Sequence, residues 1–312
     1  MKLRIFESDK GDCLLLEGAD GGRILCDGGM AKTMKSHVRA ELSKLRDQDK
    51  KLDYVYISHI DQDHISGVLQ LLEDELEWRL YDHHSANGSP IRKPKVPRPP
   101  EIGGIWHNAF REQIGKNAGD IEDLLAAAAP ALLATSVPEL VDLGEEMRQI
   151  AVSVPEAVKV SRYASADLLD IPVNKLPGSG DEPKLLMYRE GQESFRVGSM
   201  RFTIVGPTRD ELELLREGWN NFLRDAKGRR QLKDLRAEIR RKVDAFGQEA
   251  FDLRDWYGVE DFKGVTTPNI ASLMFMVQDE DNKRLLLTGD SQQDIILNGL
   301  KLGGFLRGVL PP

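Results

Sequence analysis

Short apolar runs separated by tight turns dominate the first sixty residues. These runs predict β-strands at Leu3–Phe6, Leu14–Glu17 and Arg23–Cys26, with Gly-Asp and Gly-Gly turns between them. Ser36–Leu45 instead places its apolar residues three and four apart, which predicts a helix. The apolar run Tyr54–Ile57 predicts the next strand. The chain therefore begins as a sheet with an inserted helix.

The remaining pattern predicts more helices and strands, interrupted by polar segments. A helix is expected from about Gly67 to Leu76. Further strands are predicted at Trp78–Tyr81, Ser194–Val197, Met200–Val205, Ile270–Val277 and Arg284–Leu287. Alanine- and leucine-rich sequence at 108–190 and charged sequence at 220–265 indicate helical insertions. This mixture predicts an α/β fold.

Composition narrows the class of protein. The chain has 312 residues and a formal net charge of -8, which argues against wholesale binding to polyanions but leaves room for a local basic groove. Cys13 and Cys26 give neither a disulfide framework nor zinc-thiolate spacing. No signal peptide and no apolar run of membrane-spanning length is seen. A cytoplasmic protein without a membrane partner is expected.

Four side chains that can bind metal follow the Tyr54–Ile57 strand directly: His59, Asp61, Asp63 and His64. Alternate residues leaving a strand point to one side, so the first three converge. One cation can take His59 and Asp61, and a second can take Asp63 and His64. Hydroxide held between them would attack phosphorus or a carbonyl carbon. The competing interpretation is a polar loop whose side chains only cap the next helix.

A basic, proline-rich loop is the second feature that bears on function. Residues 85–104 carry five prolines together with Arg92, Lys93, Lys95 and Arg98, so they cannot hold a regular element. We expect this loop to lie beside the His59–His64 cluster. It is either a solvated surface loop or a contact for a polyanionic substrate.

The cluster resembles the signature of the metallo-β-lactamase superfamily, His-x-His-x-Asp-His, except that Asp61 replaces the second histidine. That variant is similar to the ComEC-like branch. Leu25–Gly29 resembles the first superfamily motif, and Arg201–Pro207 resembles a strand ending in Gly-Pro. Asn269–Leu273 and the run ending in Thr-Gly-Asp290 resemble the ComEC-type sequence.

The resemblance implies a single metallo-β-lactamase-like domain over residues 1–312, an αββα sandwich of two mixed sheets with helical insertions. It implies that Asp290 bridges two metals and that Asp27 supports the site by hydrogen bonding. Asn269 stands where the superfamily has its third histidine.

The superfamily's last histidine has no counterpart, because no histidine lies beyond His107. Either the last strands of the fold are missing from this chain, or the second metal takes another ligand. His83, His84 or His107 could serve as that ligand. His83 and His84 close the predicted Trp78–Tyr81 strand, so one of them is the preferred substitute, with His84 chosen as the supporting residue.

These features predict a hydrolase that uses two divalent metal ions, zinc or manganese, with Asp63, His64 and Asp290 as the catalytic ligands. The ComEC-like resemblance implies phosphodiester cleavage of nucleic acid, in a soluble effector of a bacterial defence system. Two alternatives stay open. One is a hydrolase of small esters, and the other is a regulatory subunit with a weakened metal site that a partner protein controls through the helical insertions.

Overall fold

Two β-sheets form the centre of the structure. The structure is a computed structural model that describes residues 1–109, 112, 156, 158–180, 183–214 and 271–306. The first sheet holds five strands, β1 (Lys2–Ile5), β2 (Leu14–Glu17), β3 (Arg23–Cys26), β4 (Tyr54–Ile57) and β5 (Ile105–His107). The second sheet holds four strands, β6 (Phe195–Val197), β7 (Met200–Gly206), β8 (Met274–Gln278) and β9 (Arg284–Leu287). Strands run in chain order across each sheet.

Strand direction brings the chemistry to one edge of the first sheet. Strands β1, β2 and β3 pair antiparallel, whereas β3, β4 and β5 pair in parallel. The second sheet is antiparallel across its described strands. The C-terminal ends of β3 and β4 therefore lie side by side, and Asp27 follows one of them while Ser58 follows the other.

An apolar core fills the space between the sheets. Large side chains from both inner faces interdigitate, among them Tyr56, Trp106, Phe202 and Phe275. Trp106 lies at the centre of this aromatic group, stacked on Tyr54 with 4.2 Å between ring centroids and 5.2 Å from the ring of Phe275. Burial of such rings is the main stabilising contribution to a sandwich of this kind.

Helices cover the outer faces of both sheets. On the first sheet lie α1 (Ala31–Thr33), a π-helical turn (Met34–Val38), α2 (Arg39–Asp47) and α3 (Gln62–Ala86). On the second sheet, α4 (Gln293–Leu302) packs Ile295, Ile296 and Leu300 against Val205 and Met274. The layers are helix, sheet, sheet and helix, so the predicted αββα sandwich is confirmed.

Helix α3 is the main departure from the predicted elements. It runs for 25 residues, so the strand predicted at Trp78–Tyr81 is wrong. The buried positions Leu71 and Trp78 are seven residues apart, which is two helical turns and continues the face begun by Ile65 and Val68. The helical period of the buried face outweighed the β-propensity of the aromatic residues. Of the helical insertion predicted at 108–190, residues 110, 111, 113–155, 157, 181 and 182 lie outside the described residues, and the insertion predicted at 220–265 lies wholly outside them.

The backbone of α3 touches the loop after β3 at two glycines. The amide of Gly28 donates to the carbonyl of His64 at 2.8 Å, and the amide of Gly67 donates to the carbonyl of Gly29 at 2.9 Å. A Cβ added to Gly67 would lie only 1.9 Å from the carbonyl oxygen of Gly28. This close approach holds Asp27 beside the first turn of α3.

Gly67→Ala should therefore destabilise the protein, although glycine to alanine inside a helix ordinarily stabilises by about 0.5–1 kcal/mol. Separation of the two backbones is expected to lower the free energy of unfolding by about 1–3 kcal/mol, as overpacking does elsewhere. Chemical denaturation measures this, with Gly180→Ala as the control because no atom lies within 4 Å of its added Cβ. A Gly67→Ala protein as stable as the control would contradict the close packing.

Candidate metal centre

Three chain segments converge at the edge where β3 and β4 end. The loop after β3 supplies Asp27, residues Ser58 to His64 lead from β4 into α3, and the turn after β9 supplies Asp290. That last turn needs a glycine, because Gly289 has φ +52° and an added Cβ would lie 2.7 Å from the Cβ of Ser58. The Thr-Gly-Asp sequence thus brings a carboxylate from the second sheet up to the first.

Two histidines and one aspartate form a compact set of metal-capable groups. One ligand atom from each of His59, His64 and Asp290 lies within 4.8 Å of the others. Asp290 Oδ2 is 3.8 Å from His59 Nε2, and its Oδ1 is 3.5 Å from His64 Nε2. The carboxylate of Asp290 therefore reaches both rings with different oxygens, as a bridging ligand would.

Asp61 and Asp63 each stand next to one of these rings. Asp61 Oδ2 is 3.4 Å from His59 Nε2, and Asp63 Oδ1 is 4.0 Å from His64 Nε2. The structure thus groups the residues in the pairs that the sequence predicted. Helix capping does not explain Asp61, because it occupies the N-cap position of α3 without a side-chain capping bond.

Unpartnered polar atoms lie at the same place. Among the described residues, neither His59 Nε2 nor Asp61 Oδ1, both of them buried atoms, has a hydrogen-bond partner. A buried polar atom without a partner costs about 1–3 kcal/mol, so a native protein seldom leaves two together. A cation coordinated by both would satisfy them, and the donor set therefore fits a divalent metal ion.

Asp27 fixes Ser58 and His64 through hydrogen bonds. Its Oδ1 accepts the backbone amide of Ser58 at 2.7 Å, and its Oδ2 accepts the Ser58 hydroxyl at 2.7 Å. The same Oδ2 accepts a hydrogen bond from His64 Nδ1 at 3.0 Å. Donation from Nδ1 leaves His64 Nε2 facing Asp290, so Asp27 takes the supporting position that the resemblance implied.

Charge is concentrated at this edge. Burial opposes a charge on His64, but its contacts with the carboxylates of Asp27 and Asp290 outweigh burial and raise the pKa of the ring to about 11. The same contact with His64 lowers the pKa of Asp290 below its usual range. In the metal-free protein His64 is therefore a cation that neutralises part of the acidic cluster.

The expected substitute histidines are not at this site. His83 and His84 lie exposed on the last turn of α3, and His84 is twenty residues beyond His64, about 30 Å along a helix. They were expected to fold back because a strand was predicted, whereas the rigid helix carries them away. The choice of His84 as the supporting residue is therefore wrong.

The basic loop is also remote from the site. Lys93 and Arg98 lie over the ring of Trp78, at 5.6 and 5.2 Å, and Trp78 Nε1 donates to the carbonyl of Val96 at 3.1 Å. Trp78 is fourteen residues beyond His64, about 21 Å along α3. The expectation that this loop lies beside the cluster is wrong, so its charges do not line the metal centre.

His107 is nearer but stands apart from the compact set. It pairs with Ile57 at the end of β5, is buried, and both of its ring nitrogens lack a hydrogen-bond partner. Burial lowers the pKa of its ring to about 4, so it is neutral at physiological pH. Its ring does not belong to the group formed by His59, His64 and Asp290. Asn269 lies outside the described residues.

Sequence inspection missed the serines around the site. Ser58, which contacts both Asp27 and His59, was given no role although it immediately precedes the first histidine. The hydroxyls of Ser272 and Ser291 are buried without partners, next to Leu273 and Asp290 in the chain. Their position in the sequence was the one signal that could have found them. Ser272 is next to Leu273 and Ser291 is next to Asp290, in segments that the sequence analysis had selected for their resemblance to the superfamily.

A comparison with known protein families matches the part of the chain that contains Asp27 and the residues from His59 to His64. Residues 8–76 match the family model described as the Metallo-beta-lactamase superfamily, which indicates a metal-dependent hydrolase. The match spans β2, β3, β4 and the first half of α3, and so includes Asp27 and His59 to His64. No match was found among curated proteins or among solved structures.

No helix in the described part of the chain combines the length and the apolar character that crossing a bilayer requires.

Proposed function

We propose that this chain is a dinuclear metal-dependent phosphodiesterase whose substrate is nucleic acid. The observation that carries the proposal is a pair of buried atoms, His59 Nε2 and Asp61 Oδ1, that have no hydrogen-bond partner among the described residues, with His59 Nε2 also 3.8 Å from Asp290 Oδ2. A structural polar loop would have used these atoms in capping or hydrogen bonding.

The donor set divides into two positions that share one carboxylate. His59 and Asp61 would hold one cation, Asp63 and His64 the other, and Asp290 would contact both. Three carboxylates with two imidazoles suit zinc or manganese. When bound, such a pair supplies a coordinated water of low pKa and neutralises charge on the phosphoryl group.

The protein's own groups orient this donor set and control its protons. Asp27 fixes His64 so that Nε2 faces the site, and burial of Asp27, His59 and His64 excludes bulk water from the far side of both rings. Asp63 and Asp290 are only partly buried, so the open side of the site is the side of the carboxylates. A substrate would approach from that side.

The substrate class comes from the ComEC-like form of the motif, with Asp61 in place of a second histidine. On this proposal the chain is a single cytoplasmic domain of that branch, which serves as a defence effector. Because Lys93 and Arg98 pack on Trp78, about 21 Å along α3 from His64, these two charges add no support for a polyanionic substrate.

The direct test uses the full chain with manganese or with zinc on plasmid DNA and on RNA. Replacing Asp63 and His64 together by alanine should abolish cleavage, because the metal position that these two residues form would then keep only the shared carboxylate of Asp290. The matched control is Asp82→Ala with His84→Ala, an aspartate and a histidine on the same helix but far from the site. Cleavage that persists in the Asp63/His64 double variant would falsify the assignment.

One observation favours a second candidate, a regulatory subunit with a weakened metal site. Only two histidines belong to the compact donor group found among the described residues, and His107 stays outside it. Elemental analysis after metal-replete purification separates the two functions. Fewer than about one metal per chain would favour the regulatory subunit, and about two would favour the enzyme. Assaying thioester and phosphodiester substrates side by side separates a small-ester hydrolase from a nuclease.

A further inference from the structure

The hydroxyl of Ser58 lies between the buried carboxylate of Asp27 and the ring of His59. Ser58 Oγ is 2.7 Å from Asp27 Oδ2 and 2.9 Å from His59 Nδ1. All three residues are buried, so water does not compete for these contacts. The hydroxyl has a single proton to give, and its direction determines which nitrogen of His59 carries hydrogen.

The proton of Ser58 points to Asp27. A carboxylate is an ionised acceptor, and hydrogen bonds to ionised groups are shorter and roughly twice as strong as those between neutral groups. The Ser58 oxygen must then act as acceptor toward His59, so His59 Nδ1 is the donor and carries hydrogen.

We propose that Ser58 is a positioning residue that transmits the orienting effect of Asp27 to His59. Asp27 Oδ2 fixes His64 directly through Nδ1, and it fixes His59 through the Ser58 hydroxyl. Both rings are thereby held with Nδ1 bearing hydrogen and Nε2 directed toward Asp290. A single carboxylate sets the tautomer and the tilt of both metal-capable histidines, whose centroids are 4.2 Å apart.

The sequence carries this arrangement in two places. Asp27 has φ +54°, a left-handed conformation that turns its side chain away from the course of β3 and toward the end of β4. Ser58 follows the last residue of β4, and its backbone amide also donates to Asp27. The hydrogen bond from the Ser58 backbone amide to Asp27 does not depend on the hydroxyl. Ser58→Ala therefore removes the contact with His59 and keeps the end of β4 attached to Asp27.

The proposal rests on the metal centre of the proposed function but not on its substrate, so its readouts are imidazole NMR and metal affinity. In metal-free protein, His59 should show an Nδ1 proton that exchanges slowly with water, identified by its loss in His59→Gln. Ser58→Ala should lose that signal and bind zinc about 10–100-fold more weakly, which is the usual effect of removing a group that orients a ligand. The control is Ser199→Ala, which removes a buried serine hydroxyl that accepts the amide of Ala19 at 2.9 Å in another part of the protein.

Ser58→Thr keeps the hydroxyl and should restore the His59 signal and most of the zinc affinity. Thermal unfolding of the metal-free variants reports folding separately. A protected His59 Nδ1 proton in folded Ser58→Ala, or zinc affinity within about twofold of the unaltered protein, would overturn the positioning role. Failure of the DNA cleavage assay alone would instead count against the substrate class, because neither readout here involves a substrate.

Discussion

Asp27→Asn should lower the free energy of unfolding of the metal-free protein by about 3–5 kcal/mol, the usual cost of removing one partner from a buried ion pair. Asp27 and His64 are both buried, and the His64 ring is charged because two carboxylates raise its pKa to about 11. Asparagine fills the same space but is neutral. Its amide also presents donors to Ser58 or to His64, which are themselves donors.

Equilibrium denaturation by urea measures the change, and a parallel titration with zinc measures metal affinity. The control is Asp47→Asn, which removes an exposed carboxylate at the end of α2. Exposed carboxylates of this kind contribute about 0–1 kcal/mol. Equal stability of the two variants would show that Asp27 and His64 do not form a charged pair.

Metal binding should release about one proton from His64. The raised pKa means that Nε2 holds a proton in the metal-free protein well above neutral pH, whereas a metal can bind only the unprotonated nitrogen. Below a pH of about 11, each unit of pH therefore raises the apparent affinity roughly tenfold. Affinity is lost as the pH falls, because protons compete for Nε2.

Calorimetric titration with manganese at pH 7, 8 and 9, in buffers of different ionisation enthalpy, counts the protons released. His37→Gln is the control, since His37 is exposed and lies outside the site. It should leave the proton count unchanged. An affinity that stays flat across this pH range would mean that His64 is not a ligand, or that its contacts with Asp27 and Asp290 do not hold the proton.

The strands near the site were predictable from the sequence because each is a short apolar run bounded by turn residues. Leu14–Glu17, Arg23–Cys26 and Tyr54–Ile57 form strands with the predicted bounds. Helix α3 was predicted too short because Trp78 and Tyr81 favour strands locally, and only burial against the first sheet selects the helical period. That error also misplaced His83 and His84.

The candidate ligands of one segment were predictable because adjacent positions after a strand must lie close together. His59, Asp61, Asp63 and His64 needed no knowledge of the rest of the fold. Asp290 was reached only through a resemblance, because 226 residues separate it from His64 and no local pattern fixes such a contact. Its approach depends on Gly289 fitting against Ser58 across the two sheets.

The sequence by itself placed two imidazoles and two carboxylates together after a strand, a spacing that predicts a metal-binding edge. Tertiary structure alone decided which other groups complete it. It brought Asp27 between Ser58 and His64, carried His84 and the basic loop away along a rigid helix, and left His107 buried outside the donor group. The reason is physical: sequence spacing constrains neighbours within a few residues, whereas contacts between segments depend on how whole elements pack.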